Sequence, residues 1–241
     1  MSVELRAQAM ARGDRRSSLL FYRTVRGAIR AIVNPWLRVR AENTHVLDRP
    51  GPTILAPVHR SHLDSALVAT QSSRRIRALG KQSLFTTPVV SYVCAALGAI
   101  PVRRGEADRD ALAAAKMLLD RGESMIVFPE GSRRAGNEIG ELFDGAAWLA
   151  ARSGAPVVPI GITGTQAALP TGAKFLHRSD VAIVVGEPLP APVGEDGKRA
   201  SRQQLREFTA ELTEQLQKAQ DAAVALATAS AAAGSGRRIV R

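Results

Sequence analysis

The sequence predicts an α/β fold: a largely parallel central sheet flanked by helices, with an N-terminal amphipathic helical segment in front. Three observations carry that expectation. From residue 53 onward, short apolar runs alternate with segments of helical periodicity, the pattern of strands joined by crossover helices. The chain has 241 residues and 45% apolar content, enough for one sizeable buried core. It has one cysteine, Cys94, so neither a disulfide framework nor a multi-cysteine zinc site is available to hold a smaller fold.

The elements follow in order. Over residues 18–34, Phe21, Tyr22, Val25, Ile29, Ile32, Val33 and Trp36 fall within one third of a helical wheel, with Arg23, Arg26 and Arg30 beside them. Such a helix either lies in a bilayer interface or packs on the domain with solvated arginines, and the two are compatible. Residues 53–58, after Gly51-Pro52, read as a buried strand; 61–70 as a helix; 76–79 as a strand; and 88–97 as a helix. Next come an extended segment at 99–102, a helix at 107–120, a strand at 124–128 and a helix at 145–153. Strands at 156–162 and 181–185 and a long helix at 201–227 complete the set. The chain therefore divides into a basic segment at 1–40, a folded domain at 41–232 and a flexible basic tail at 233–241.

Charge narrows the partners. Lysine and arginine number 33 against 22 acids, a formal charge of +11. Residues 1–40 hold nine arginines and two acids, Glu4 and Asp14, so most of the excess sits in one sixth of the chain. Such asymmetry suits nucleic acid or an anionic membrane surface. Aromatic content is 4%, with no basic stretch interleaved with aromatics as a base-stacking surface would be, so the membrane is the expected partner and nucleic acid is not. Two uncharged stretches, 82–102 and 153–173, are too rich in polar residues, glycine and proline for a lipid-embedded helix. A short hairpin at 84–100 dipping into the interface is an alternative for the first. The opening residues lack the pattern of a secretory signal peptide, and the expected location is peripheral, on the cytoplasmic face of the cell membrane.

Three segments just after predicted strands could carry chemistry. In Pro57-Val-His59-Arg-Ser-His-Leu-Asp64, a continuous helix would set His59 and Asp64 about 140° apart. With His59 outside the helix and Asp64 in its first turn, the chain can bring them together, the carboxylate holding the imidazole tautomer of a general base. The alternative is a capping box in which Asp64 serves Ser61, and His62 suits a solvated or loop-packing role. In Phe128-Pro-Glu-Gly-Ser-Arg133, a tight turn offers a carboxylate, a hydroxyl and cations; Gly131 permits close backbone approach and Arg133 can chelate a phosphate. In Gly98-Ala-Ile-Pro-Val-Arg103-Arg104, another strand end delivers guanidinium groups. Alone, each of the last two fits an ordinary polar surface. There is no Gly-x-Ser-x-Gly elbow, phosphate-binding P-loop, dinucleotide fingerprint or cluster with metal-ligand spacing.

Together these segments resemble the ordered sequence blocks of the glycerolipid acyltransferase family, typified by 1-acyl-glycerol-3-phosphate acyltransferase. His59-x4-Asp64 is similar to its His-x4-Asp box, and Gly98-x-Ile-x-Val-Arg103 to a second block ending in a phosphate-binding arginine. Phe128-Pro-Glu-Gly-Ser-Arg133 resembles the third block, and Val157-Val-Pro-Ile160 the apolar fourth. The resemblance runs from about Pro50 to Pro188. It departs at Val58, where the family often has Asn, and at Ser132, where Thr is commoner.

The resemblance implies a glycerol-3-phosphate acyltransferase-like fold and acyl transfer from acyl-CoA or acyl-carrier protein to the free hydroxyl of 1-acyl-sn-glycerol-3-phosphate, giving phosphatidic acid. It implies His59 as general base and Asp64 as its orienting partner. Arg103 and Arg133 would hold the acceptor phosphate, with Glu130, Gly131 and Ser132 shaping the acceptor pocket. The attacking group is then the substrate hydroxyl, and neither a cofactor nor a metal is implied beyond the acyl donor. Glycerol-3-phosphate, a lysophospholipid or a glycolipid are alternative acceptors. A non-catalytic anion- or membrane-binding module is the alternative of a different class.

Overall fold

The computed structural model describes residues 2–103, 108–194 and 199–236, with the side chains of 2, 3 and 230–236 left aside. Two helices, α1 (Ser2–Gly13) and α2 (Arg16–Ala28), open the chain. The second runs on through a π-helical turn at Ile29–Val33 into α3 (Asn34–Trp36). There follow β1 (Arg40–Glu42), β2 (Thr53–Pro57), α4 (Asp64–Thr70), β3 (Ile76–Lys81), α5 (Pro88–Ala96) and β4 (Ala99–Val102). The second half comprises α6 (Arg109–Asp120), β5 (Ser124–Ile126), α7 (Gly145–Ser153), β6 (Val157–Thr163), α8 (Thr165–Ala168), β7 (Ala182–Val185) and α9 (Arg202–Gly236).

The seven strands form one sheet in the order β1-β7-β6-β2-β5-β3-β4. All pairs are parallel except β6 with β7. β2 is the central strand and all five of its residues are buried, as a strand covered by helices on both faces requires. Leu55, Ile126, Leu149, Leu212 and Leu216 belong to the core that runs through the sheet into α7 and α9. α9 lies so close to β6 that a Cβ on Gly161 would sit 2.0 Å from the Ala219 carbonyl oxygen; only glycine fits there. At the same crossing the Gln220 Oε1 accepts from the Ile162 N–H at 2.9 Å.

The N-terminal helices are part of the domain wall. α1 packs on α5 and β4, and β4 is a sheet edge carrying Pro101, whose missing N–H an edge strand tolerates. Arg6 is buried: its Nε donates to the Pro101 carbonyl at 3.0 Å, and Nη2 pairs with Asp108. An edge that would otherwise present unpaired backbone is thereby covered. At the opposite end of the strands, fully buried Arg77 pairs with Glu123 at 2.7 Å and with Asp14, between α1 and α2.

The π turn sits within the helix predicted at 18–34, whose apolar third divides in two. Tyr22 is buried and Ile29 and Val33 pack on the core, whereas Phe21, Ile32 and Trp36 are exposed with Leu19 and Leu20. Arg26, expected in a solvated stripe, instead donates to the carbonyls of Ser72, Ser73 and Arg74 at 3.0, 2.8 and 2.9 Å. The segment considered as a dipping hairpin buries Phe85, Ala95 and Ala96 and exposes Leu84, Val89, Val90 and Tyr92. The helix expected from residue 61 begins at Asp64, because Ser61 and its neighbours make the turn that holds the Asp64 carboxylate. The tail expected from residue 233 is corrected in part: α9 continues to Gly236, since the alanine-rich run has high helix propensity. Residues 237–241 of that tail, and Arg104 and Ala107, lie outside the described residues. Among the described residues, no helix is long and apolar enough to cross a membrane.

Candidate active site

β2 ends at Pro57 and hands the chain to His59 at the carboxyl end of the central strand, where open parallel sheets place their ligand sites. The His59 Nδ1 lies 3.1 Å from the Asp64 Oδ2. Both groups are buried, His59 with 4% of its surface exposed and Asp64 with none. The same oxygen accepts the backbone N–H groups of Arg60 and Ser61, each at 2.7 Å, and Oδ1 accepts the Thr165 hydroxyl at 2.8 Å. Four donors therefore converge on one carboxylate, which can only accept when ionised. That fixes the tautomer chemically: Nδ1 carries the proton toward Asp64, and Nε2 keeps its lone pair. The Ser61 bond closes the turn that precedes α4, so Asp64 both holds that turn and orients the histidine.

A second carboxylate holds the backbone. Glu130, at the turn beyond β5, is fully buried. Its Oε2 accepts the His59 backbone N–H at 2.9 Å, and the Arg60 Nη1 reaches its two oxygens at 3.0 and 2.7 Å. Arg60 spends its remaining donors on the carbonyls of His59, Gly136 and Glu138. The Phe128 ring stacks on the imidazole with centroids 3.9 Å apart and planes 22° from parallel. His59 is thus held at its ring nitrogen, its ring face and its backbone, leaving the Nε2 side for a substrate.

Both Glu130 oxygens are engaged inside the protein, so any part it has in shaping an acceptor pocket is exerted through His59 and Arg60. Gly131 has φ +66°, and a Cβ there would meet the Phe143 ring at 2.6 Å; the close neighbour is the protein's own side chain. Ser132 and Arg133 are exposed on the same turn, which is pinned beside the histidine by the Arg134 N–H donating to the His59 carbonyl at 2.8 Å. Arg103 follows β4, three strand spacings from β2, or about 14 Å at the backbone. Its N–H donates to the Asp108 Oδ2 at 2.9 Å, while its side chain is 47% exposed with Nε 3.7 Å from Asp108. Burial pushes the Asp108 carboxyl up, but the Arg103 and Ala111 N–H groups and the charges of Arg6 and Arg103 outweigh it and hold it below the usual value of 3.8.

The structure therefore gathers His59, Asp64 and Glu130 in one buried cluster and leaves Arg103, Ser132 and Arg133 on the rim. The sequence reading missed Arg60, Thr165 and the stacking role of Phe128. Thr165 has no local signal beyond its place after β6. Arg60 and Phe128 lie inside segments singled out for other residues.

Beside the imidazole is a cavity of about 350 Å³. His59 and Phe128 form one wall, Ala66, Ala78 and Leu79 line its body, and Tyr22 and Ile29 of the N-terminal helix run close it. His62 is exposed and contributes to the wall. The lining is mainly apolar, with His59, His62, Ser65, Arg26 and Lys81 as polar breaks in it. A histidine base oriented by a carboxylate, beside an apolar cavity, can take a proton from a hydroxyl whose partner substrate carries an aliphatic chain. Among the described residues, no group of three or more His, Cys, Asp or Glu side chains is arranged to hold a metal ion.

The family model for acyltransferases matches residues 38–163. Residues of this chain are 30% identical over 141 positions to the chloroplastic 1-acyl-sn-glycerol-3-phosphate acyltransferase BAT2 of Brassica napus, covering 57% of this chain and 41% of that protein. The 1-acyl-sn-glycerol-3-phosphate acyltransferase of Bacillus subtilis (strain 168) is 24% identical over 169 positions, covering 70% and 82%. The fold matches the crystal structure of the 1-acyl-sn-glycerophosphate acyltransferase PlsC of Thermotoga maritima with a TM-score of 0.65 at 22% identity, over 82% of this chain and 78% of that one. The chain spans less than half the length of plant relatives such as BAT2 and the chloroplastic LPAT1 of Arabidopsis thaliana, of which it covers 45%.

Proposed function

The chain belongs to the acyltransferase family, and from that premise we propose that it transfers a fatty acyl group from acyl-CoA or acyl-carrier protein to the free hydroxyl of 1-acyl-sn-glycerol-3-phosphate, forming phosphatidic acid. The observation that carries the proposal is the His59–Asp64 contact of 3.1 Å at the wall of the apolar cavity. In this mechanism the His59 Nε2 takes the acceptor hydroxyl proton as the oxygen attacks the thioester carbonyl. Asp64 holds the imidazole and balances the imidazolium that forms. Collapse of the tetrahedral intermediate expels the thiolate, and the imidazolium returns the proton to it. The acyl chain occupies the cavity. Arg133, and Arg103 by leaning inward, bind the acceptor phosphate at the rim, where an exposed guanidinium forms two parallel bonds to a phosphate. Names given to the relatives support the choice of acceptor.

The same proposal places the protein peripherally on the cytoplasmic face of a membrane. Leu19, Leu20, Phe21, Ile32 and Trp36 are exposed along α2 and α3, with Arg16, Arg23 and Arg30 exposed beside them. Apolar side chains among cations suit the acyl boundary and headgroups of an anionic bilayer.

Thiol released from palmitoyl-CoA would be followed with 1-acyl-glycerol-3-phosphate, with glycerol-3-phosphate and with no acceptor, and the assay repeated with palmitoyl-carrier protein. Release that requires the lysolipid from either donor is expected. Release without acceptor would indicate a thioesterase, and release requiring glycerol-3-phosphate alone would move the acceptor.

A further inference from the structure

Residues 169–180 connect α8 to β7 and lie at the His59 end of the sheet. Topology places them there: β6 is parallel to β2 and antiparallel to β7, and Thr163 pairs with Ala182. Ala182 also pairs with Arg40 at the start of β1, so Trp36, four residues earlier, arrives at the same end.

The segment carries two large apolar side chains that the protein does not cover: Phe175 is 80% exposed and Leu176 36%. Lys174, His177 and Arg178 flank them, and no acidic residue occurs from Gly145 to Ser179. A single exposed phenylalanine is ordinary protein surface. Here the tip is also held outward from both sides. The Arg178 guanidinium lies 5.8 Å from the centroid of the exposed Trp36 ring, and Arg38 binds both oxygens of Asp180 at 2.5 and 2.7 Å. From within, the His177 N–H donates to the Ala168 carbonyl at 2.8 Å and the Ser179 hydroxyl to the Gly164 carbonyl at 3.1 Å. An apolar tip between cations, beside an indole, matches the chemistry of a lipid interface: rings enter the acyl boundary while cations meet phosphates.

We propose that residues 174–178 form a second membrane contact, in which Phe175 and Leu176 enter an anionic phospholipid bilayer and Lys174 and Arg178 bind its headgroup phosphates. The inference rests on the docking proposed above for α2 and α3 and adds a point to it. A helix lying in the interface leaves rotation about its own axis open. A tip anchored off that axis removes the freedom and sets the His59 end of the sheet at the lipid, where a lysolipid acceptor resides.

The test is sedimentation of the full chain with vesicles of phosphatidylglycerol and phosphatidylcholine. Wild type would be compared with Phe175→Ser/Leu176→Ser and with Leu20→Ser/Phe21→Ser. The loop variant is expected to partition roughly tenfold more weakly, with an unchanged melting temperature and unchanged turnover on dispersed short-chain acceptor. As an independent readout, Phe175→Trp in a Trp36→Phe/Trp148→Phe background should be quenched by brominated acyl chains. If the α2 variant detaches while the loop variant binds like wild type, or if the indole at 175 is not quenched, the loop inference is overturned and the α2 docking stands. If the loop variant keeps its partitioning but loses turnover on dispersed acceptor, the segment is a lid and the inference is likewise overturned. Wild type that ignores the vesicles overturns the membrane docking and this inference together.

Discussion

The histidine centre and the arginine rim lie on the same sheet end but are built in opposite ways. His59 and Asp64 are buried and fixed by six contacts to protein groups: the Phe128 ring, Glu130, Thr165, two backbone N–H groups and each other. Arg133 is exposed and makes no ion pair among the described residues, and the exposed Arg103 side chain reaches Asp108 at 3.7 Å. Proton transfer tolerates little displacement of the base, so its geometry is over-determined. The proposed phosphate recognition asks only for exposed guanidinium groups. The contrast predicts that changes at the centre lower turnover or unfold the protein, whereas changes at the rim alter acceptor affinity.

The largest effect is expected from Asp64→Asn. An amide presents its own N–H to a site built of donors and no longer fixes the histidine tautomer, so kcat should fall about 10³- to 10⁴-fold, measured as acceptor-dependent thiol release. A fall of less than tenfold would place the chemistry elsewhere.

Glu130→Ala comes next. It leaves the Arg60 charge buried without its carboxylate, which costs roughly 3–5 kcal/mol and should lower the urea midpoint accordingly. Arg60→Met/Glu130→Leu should restore most of that stability without restoring turnover, because the His59 N–H still lacks its acceptor. Recovery of both would reduce the pair to a packing element.

At the rim, Arg133→Ala should raise KM for the lysolipid about tenfold, the worth of a hydrogen bond to a charged group, with kcat and the thioester KM nearly unchanged. A fall in kcat alone would draw Arg133 into the centre.

The smallest effect concerns pH. Burial raises the Asp14 and Asp108 carboxyls, but bonds and charges from Arg77 and Arg121 at the first, and from Arg103, Ala111 and Arg6 at the second, hold both below 3.8. A depressed carboxyl contributes stability that is complete above its unfolded value and lost as pH falls through its folded value. Docking of α1 should therefore weaken only below about pH 4, seen as faster amide exchange in residues 2–14 before global unfolding. Loosening near neutral pH would point to other groups.

Most of the framework was legible in the sequence because it depends on local period and punctuation. β2 and β6 are continuous apolar runs, and α6 and α9 repeat at helical spacing. β1 was missed: Arg40-Ala-Glu42 is polar and exists only because β7 offers it a parallel partner. α1 was missed because its key burial, Arg6 against Asp108, joins residues 102 positions apart. The His59–Asp64 pair was legible from spacing and from the strand end before it. Thr165 was not, since its hydroxyl reaches Asp64 only through the neighbouring of β6 and β2. Glu130 was found, but its hold on the His59 N–H and on Arg60 was not legible, because a sequence shows a carboxylate in a turn and not which buried groups it faces. The apolar stripe on α2 was read as one surface, yet it lines the cavity with one edge and meets solvent with the other.

The central claim is that His59 is the base of an acyl transfer. Purified wild type and His59→Ala would be compared for thiol released from palmitoyl-CoA with 1-acyl-glycerol-3-phosphate present, after circular dichroism shows both folded. The account predicts release by wild type and a loss of at least about 10²-fold in the variant. Full turnover by folded His59→Ala would contradict it.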